Sequence, residues 1–475
     1  MASGLDRRAL PAGLAATALS ALCWWFGSGT HPLWWLTWIA PWPVIWLAPR
    51  ARARWAALAA FTAYALGGCN QWSYLHDSIG LPMSSILPAI GGPALALMLA
   101  VLLHRRLLLR GHAIAAALAP AALWVAIEYV SSLQSPHGTF GSIAYYQMDA
   151  LPVVQVAAVA GLWGVSFLLL LLPAALATLA WPVDAPRRGR AAVLAVALVP
   201  LAAALLCGWL RLQAPAESVL RVGLVSIEKP IRPLLGDAKG QALQARYVQA
   251  IEALAQRGAR VVVIPETAFA TADASIPAFA QLASRYGLVL DAGIDSRIDP
   301  HAERNAVMVF QPGAASPATY DKHHLIPGFE HQYTPGDRYT MLAGSPRIGL
   351  AICKDMDFHD IGQAYAARGA QLLLVPAWDF GIDGWLHSRM AIMRGVESGF
   401  AVARAARSGR LTLSDDRGRL LAEASSERHD AELVGDLPMR DTHTLYARWG
   451  DWFAWLDMVL LAALLFVARP TRRAG

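Results

Sequence analysis

Arg347-Ile348-Gly349-Leu350-Ala351-Ile352-Cys353-Lys354-Asp355 is an apolar run that stops at a thiol flanked by charge. A run of this length, bounded by turn residues, is expected to form a buried strand. Its end would face the crevice where open α/β sheets bind ligands, and a neighbouring cation favours thiolate, so Cys353 is placed for nucleophilic chemistry. Most lone cysteines, however, are small core residues. The surroundings decide between the two.

The polar segment around this stretch, residues 218–440, alternates in pattern. Leu220–Ile227, Arg260–Pro265, Val289–Ile294, Asn305–Phe310, Leu372–Pro376 and Phe400–Arg404 read as strands, and further strands meander out to Leu437. Ala242–Gln256, Ile276–Tyr286 and Leu386–Gly399 read as helices. Strands alternating with helices and mixed with hairpins imply an α/β sandwich with helices covering its sheets.

Two further strand ends carry reactive groups. Arg260-Val261-Val262-Val263-Ile264-Pro265-Glu266 stops at a carboxylate, and Ala318-Thr319-Tyr320-Asp321-Lys322 reaches a lysine after a short extended run. Glu266 alone reads as a helix cap or a surface acid, and Lys322 alone as part of a solvated face. Yet Lys229, Lys239, Lys322 and Lys354 are the lysines of a chain that otherwise uses arginine, so Lys322 is less easily generic charge. Together the three residues make chemical sense: a carboxylate takes the thiol proton, a thiolate attacks a carbonyl, and an ammonium stabilises the oxyanion.

The rest of the chain belongs in lipid. Across 475 residues, 56% hydrophobic content and 18 tryptophans exceed what a soluble core needs. Mean hydropathy is +0.39. Apolar stretches of bilayer length at 10–27, 33–48, 55–72, 86–103, 113–130, 152–180, 191–211 and 452–468 predict about eight transmembrane helices. The first is read as a retained helix, because it leads directly into further spans. The domains are therefore 1–217 (seven spans), 218–440 (the α/β domain) and 441–475 (a closing span and tail).

A formal net charge of +6 does not imply nucleic acid, since the arginines sit in clusters between apolar runs. Arg7 and Arg8, Arg50 to Arg54, Arg105 to Arg110, Arg187 to Arg190 and Arg469 to Arg473 mark every second boundary, whereas loops 28–32, 73–85 and 131–151 lack Lys and Arg. By the positive-inside rule both termini are cytoplasmic and the α/β domain is extracytoplasmic, periplasmic in a two-membrane bacterium. Glu128 lies at the outward end of the fifth span and reads as a solvated interfacial acid. Trp34, Trp35, Trp38, Trp42, Trp46, Trp72, Trp124 and Trp163 read as interfacial anchors and packing residues.

Cys23, Cys69 and Cys207 fall in apolar runs, so neither a disulfide framework nor a zinc pattern arises. His323, His324, His359 and His387 are dispersed and read as loop or surface residues, with no metal and no cofactor expected. Arg394 and Glu397 are spaced for a structural intrahelical pair.

Glu266, Lys322 and Cys353, in that order and each at a strand end, resemble the Glu-Lys-Cys triad of the nitrilase, or carbon-nitrogen hydrolase, superfamily. The resemblance implies a four-layer αββα fold, with Glu266 as general base, Lys322 as oxyanion stabiliser and Cys353 as nucleophile. With the membrane spans, the chain looks like the apolipoprotein N-acyltransferase family. The similarity runs through Trp72-Ser73-Tyr74-Leu75-His76-Asp77, Trp124-Val125-Ala126-Ile127-Glu128, Gly161-Leu162-Trp163-Gly164, Pro265-Glu266-Thr267-Ala268, the loop to Glu330, and Tyr446-Ala447-Arg448-Trp449-Gly450-Asp451-Trp452. It implies a ping-pong reaction at the inner membrane. A phospholipid acyl donor loads Cys353, and a diacylated apolipoprotein accepts the chain, with the enzyme a monomer in contact with membrane lipid.

Glu330 matches a family acid, either supporting catalysis or fixing its loop. The chain departs from the family at Lys354 and Asp355, where an aromatic residue and Glu are usual. Lys354 either lowers the thiol pKa or pairs with Asp355 or Asp357. Pro327-Gly328-Phe329-Glu330 replaces Pro-Phe-Gly-Glu, and Pro233-Leu234-Leu235-Gly236 lacks an expected tryptophan. Trp378 stands in an altered segment, and Trp385 in a surviving Asp-Gly-Trp; both are candidates for lining the acyl or acceptor pocket. Three other readings stay open: a paralogue with another amine acceptor, a membrane-tethered amidase, and a degenerate binding module.

Overall fold

A computed structural model describes residues 9–182, 187–228 and 231–469. Arg7, Arg8, Arg472 and Arg473 lie outside them. The chain forms two compact units: residues up to 133 with 141–211 and from 451 onward, and residues 134–140 with 212–450.

The first unit is helical: α1 (Ala9–Gly27), α2 (Trp42–Leu47), α3 (Ala53–Gly68), α4 (Met83–Leu108), α5 (Ala113–Gln134), α6 (Leu151–Val154), α7 (Ala157–Leu179), α8 (Arg187–Leu212) and a last helix at Trp452–Val467. Among the described residues four helices, not the eight expected, are long and apolar enough to cross a bilayer: α4, α5, α7 and α8. The physical reasons differ by segment. Stretch 33–48 is broken into a 3-10 turn at Trp34–Trp38, the six-residue α2 and another turn at Ala48–Arg50, since Pro41, Pro43 and Pro49 cannot donate the bonds a helix needs. Both α3 and the last helix have 16 residues, about 24 Å against a hydrocarbon core of about 30 Å. Helix α7 keeps its length although Gly161, at φ 65°, kinks it.

Glu128 is not left to solvent. It is half-buried, and its carboxylate accepts the Ile143 N–H at 3.0 Å, fastening the turn that follows the 134–140 segment. Trp124 and Trp163 are buried packing residues, and Trp163 donates to Asp451 at 2.8 Å.

The second unit contains β1 (Ser218–Ser226), α9 (Ala238–Gln256), β2 (Val261–Thr271), α10 (Pro277–Tyr286), β3 (Val289–Ser296), β4 (Arg304–Phe310), β5 (Ala318–Asp321), β6 (Met341–Leu342), β7 (Ile348–Leu350), α11 (His359–Ala367), β8 (Leu372–Trp378), α12 (Gly384–Ser398), β9 (Ala401–Arg407), β10 (Arg410–Ser414), β11 (Leu420–Ser425) and β12 (Ala431–Met439). Two six-stranded sheets run β12-β1-β2-β3-β4-β5 and β11-β10-β9-β8-β7-β6. In each, the central strands are parallel and the flanking ones antiparallel.

The period-2 pattern explains the layers. Val261 and Val263 face inward to Leu350, Leu374 and Ala403, forming the core between the sheets. Val262 and Ile264 face outward, under Tyr247 and Ile251 of α9 and Phe279 of α10. On the other side, Leu373, Val375 and Val402 are covered by Ile361 and Tyr365 of α11 and Ala391 of α12. Each fully buried Val or Leu contributes about 1.5–3 kcal/mol relative to exposure. The result is a helix–sheet–sheet–helix sandwich.

Candidate active site

Sequence reading ends the Glu266 strand at Pro265, whereas β2 continues to Thr271. Pairing with β3 steps from Ile264↔Ala292 to Phe269↔Ile294, so five steps along β2 match two along β3. The surplus bulges out and carries Glu266, with Thr267 at φ 45°. A β-bulge is a common way to re-aim a side chain next to a site. Gly293 makes room for it, because a Cβ there would stand 2.3 Å from the Pro265 carbonyl oxygen and 2.6 Å from Glu266 Cα.

Lys322 follows β5 and donates its backbone N–H to the Asn305 carbonyl of β4 at 2.8 Å. Its side chain is fully buried, with Nζ 2.7 Å from Glu266 Oε1 and 3.0 and 2.9 Å from Glu330 Oε1 and Oε2. Glu330 also accepts the Ile326 N–H through Oε2 at 2.7 Å, so both its oxygens are engaged. Sequence reasoning missed Asn305. Its Nδ2 stands 2.6 Å from Glu266 Oε1 and 2.6 Å from Glu330 Oε1. The available signal was one amide opening an otherwise apolar strand, too weak to name a role.

The expected strand before the thiol is shorter than its apolar run, since β7 covers only Ile348–Leu350. Cys353 opens a 3-10 turn, Cys353–Asp357, at φ 44°. This left-handed backbone is costly for a residue with a Cβ and is found where surrounding structure enforces it, often at functional sites. The enforcement is visible. Asp355 accepts N–H groups from Ile352 at 2.9 Å, His323 at 3.1 Å and His324 at 2.9 Å, and the Tyr320 hydroxyl at 2.8 Å. It thereby ties the nucleophile turn to the segment carrying Lys322.

Cys353 is buried, and its Sγ lies 3.6 Å from the Trp378 carbonyl oxygen at the end of β8. Burial and the Glu266 charge push the thiol well above its ordinary value, against Lys322 and Arg404, which pull it down. Burial likewise raises Glu266, partly offset by Lys322. Burial alone would lower the Lys322 ammonium, but Glu266 and Glu330 hold it well above the usual lysine value. Burial thus favours the neutral form of the thiol, beside an ammonium held between two carboxyl groups.

Of the two expectations for Lys354, the structure selects pairing. Nζ is 3.4 Å from Asp357 Oδ2 and 3.1 Å from His137 Nδ1. The cations acting on the thiol are Lys322 and Arg404 instead. Arg404 is buried and holds Asp379 through two bonds of 2.9 and 2.5 Å, fixing the residue after Trp378. Trp378 meets the thiol through its backbone, and its ring lies under Arg407 at 4.5 Å. Trp385 packs with Arg389 at 5.1 Å. Arg394 and Glu397 form the intrahelical pair at 2.8 Å, fully buried.

His387 is not a surface residue. It sits 3.2 Å from Asp383 and 3.7 Å from Asp357. Burial alone would lower its pKa, but Asp383 and Asp357 push it up to about 10.

Comparison with known proteins agrees in both halves of the chain. A carbon-nitrogen hydrolase family model matches residues 237–444, and a model of the apolipoprotein N-acyltransferase N-terminal domain matches residues 20–175. An apolipoprotein N-acyltransferase of Methylococcus capsulatus is 30% identical over 70% of this chain and 70% of its own length. One of Azotobacter vinelandii is 29% identical over 90% of this chain and 89% of its own. An amidase from Nesterenkonia sp. superposes on 46% of this chain and 90% of its own, at 24% identity and a TM-score of 0.41. The chain belongs to the apolipoprotein N-acyltransferase family, as a membrane-associated enzyme of the nitrilase superfamily.

Proposed function

We propose that this protein moves a fatty acyl chain from a phospholipid, through a Cys353 thioester, to the α-amino group of the N-terminal diacylglyceryl-cysteine of apolipoproteins. What carries the reading is the buried Glu266–Lys322–Glu330 assembly beside Cys353, in a chain that also has, among the described residues, four apolar helices of bilayer length. Of the two acids only Glu266 keeps an oxygen, Oε2, without a hydrogen bond among the described residues. It is the acid able to accept a proton without giving up a contact.

In the first half-reaction Glu266 takes the thiol proton as Sγ attacks the ester carbonyl, and Lys322 stabilises the oxyanion. The ester C–O bond breaks, and the departing alkoxide takes the proton back from Glu266, leaving a lysophospholipid and an acyl-thioester. In the second, the amine attacks the thioester and passes a proton to Glu266. The C–S bond breaks, and the thiolate recovers that proton. Glu330 supports the ammonium, Asp355 positions the turn, the Trp378 carbonyl orients the thiol, and Trp385 lines the acyl or acceptor pocket.

The arginine pattern supports a multi-pass protein of the bacterial inner membrane with the catalytic unit in the periplasm and both termini in the cytoplasm. Both substrates are then anchored in the leaflet that the site serves, which favours encounter over a free search.

The test is intact mass of the detergent-purified protein after incubation with phospholipid, wild type beside Cys353→Ala. A fatty-acyl increment that needs Cys353 and passes to a diacylated lipopeptide is the expected result. A thioester that no lipopeptide accepts would transfer the reading to a paralogue with another amine acceptor, which the Cys353-Lys354-Asp355 departure favours. Hydrolysis of a soluble amide with no lipid adduct would point to the tethered amidase, consistent with the carbon-nitrogen hydrolase match.

A further inference from the structure

We propose that Asn305 is a positioning residue for the base, Glu266. The inference rests on the reading of Glu266 as the group that takes the Cys353 proton. The Lys322 ammonium contacts one oxygen of Glu266 and both oxygens of Glu330, at 2.7–3.0 Å. Asn305 adds a bond to each acid. Its single amide nitrogen sits 2.6 Å from Oε1 of each acid, and an NH2 group has one proton for each.

The consequences for the two acids are unequal. On Glu330, the Asn305 and Lys322 bonds at Oε1 add to Lys322 and Ile326 at Oε2, so both oxygens are committed. On Glu266, Asn305 and Lys322 converge on the same Oε1. That convergence fixes the carboxylate's rotation and leaves Oε2 as its available lone-pair face. Asn305 is itself buried, and its Oδ1 finds no partner among the described residues. A buried amide that leaves its acceptor unsatisfied is retained for its donors.

The same bonds act on ionisation. Burial raises Glu266, and an amide donating to the ionised form opposes that rise. Asn305 thus performs two tasks with one group: it leaves Oε2 free to take the proton, and it favours the ionised form of Glu266 against the burial that opposes it. Its backbone carbonyl also receives the Lys322 N–H, so cation and base are referenced to one residue.

The test is the pH dependence of Cys353 alkylation by iodoacetamide in the detergent-purified full chain. Wild type is compared with Asn305→Leu, Asn305→Asp, Asn305→Ser and Glu266→Gln. Wild type is expected to show an acid limb that Glu266→Gln abolishes. Asn305→Leu should move that limb upward by roughly one pH unit, as expected for loss of one charge-assisted hydrogen bond. Asn305→Asp, of the same shape but adding a carboxylate, should move it further, and Asn305→Ser, which keeps one donor, should restore part of it. A residue that merely fills space would leave the limb where it is in the Leu and Ser variants. That result, with the Glu266→Gln effect intact, overturns the proposal and leaves the base assignment standing. A limb that survives in Glu266→Gln overturns the base assignment, and the proposal with it. If Asn305→Leu does not accumulate, the Ser variant decides: a limb unmoved there overturns the proposal.

Discussion

Gly293 lies directly under Glu266: a Cβ on Gly293 would meet Glu266 Cα at 2.6 Å and the Pro265 carbonyl oxygen at 2.3 Å. Both clashes are with backbone, so no rotamer change relieves them. Gly293→Ala is expected to push the bulge outward and carry Glu266 off Lys322. Displacements of this order cost about a hundredfold in rate. Rates of acyl-enzyme formation should fall accordingly, while the protein still purifies folded. An unchanged rate would show that the bulge does not set the position of Glu266.

Lys322 is the one ammonium between two buried carboxylates, at 2.7 and 2.9 Å. Lys322→Met leaves those carboxylates unpaired, which typically costs about 3–5 kcal/mol. The expected outcome is a large drop in the unfolding midpoint together with loss of thioester formation. Adding Glu266→Gln and Glu330→Gln should recover most of the stability and none of the activity. If the triple variant is no more stable than the single one, the charge argument is wrong.

His387 gives a pH signature of opposite origin. Its folded pKa, pushed up to about 10 by Asp383 and Asp357, lies above the unfolded value of about 6.5. A raised basic group contributes its full stabilisation below the unfolded pKa and loses it as pH rises through the folded one. Stability of the wild type should therefore decline between about pH 6.5 and 10. His387→Gln should flatten that stretch, as read by thermal unfolding across the range.

The sandwich was legible because its signals are local. Alternation in Val261–Ile264 and in Leu372–Val375 fixes two faces per strand, and Glu266, Lys322 and Cys353 stand out as reactive groups after apolar runs. What escaped depends on distant partners. The bulge at Glu266 needs the open space above Gly293, and Asn305 acquires meaning only when β4 lies between the two acids. The direction of Lys354 was undecidable without His137, which is remote in sequence, and of the His387 carboxylates Asp357 is remote, while Asp383, four residues earlier, was in view and its pairing was overlooked. The break at 33–48 is different, since Pro41, Pro43 and Pro49 were in view and the apolar count outweighed them.

Lys354 separates proximity in sequence from action on the thiol. With Nζ turned to Asp357 and His137, Lys354→Met should leave the pH profile of Cys353 alkylation unshifted. It should still cost stability, because it removes a partner of a buried carboxylate, by about 1–3 kcal/mol. A substantial upward shift of the thiol pKa in this variant would mean that Lys354 does act on the nucleophile.

Asp291 tests the same electrostatics on β3. It lies on β3 in register with Val263 and Val309, fully buried, and neither carboxyl oxygen has a partner among the described residues. Burial alone raises its pKa well above the ordinary carboxylate value. For an acid raised in this way the folded state binds more protons than the unfolded one, so stability falls as pH rises above about 4, the unfolded value. An apolar side chain of similar size avoids that loss and the unsatisfied oxygens. Asp291→Leu should therefore raise the unfolding midpoint at pH 7, by an amount corresponding to about 1–3 kcal/mol. The gain should shrink as the pH is lowered toward 4. A variant less stable than wild type would require that Asp291 have a stabilising partner.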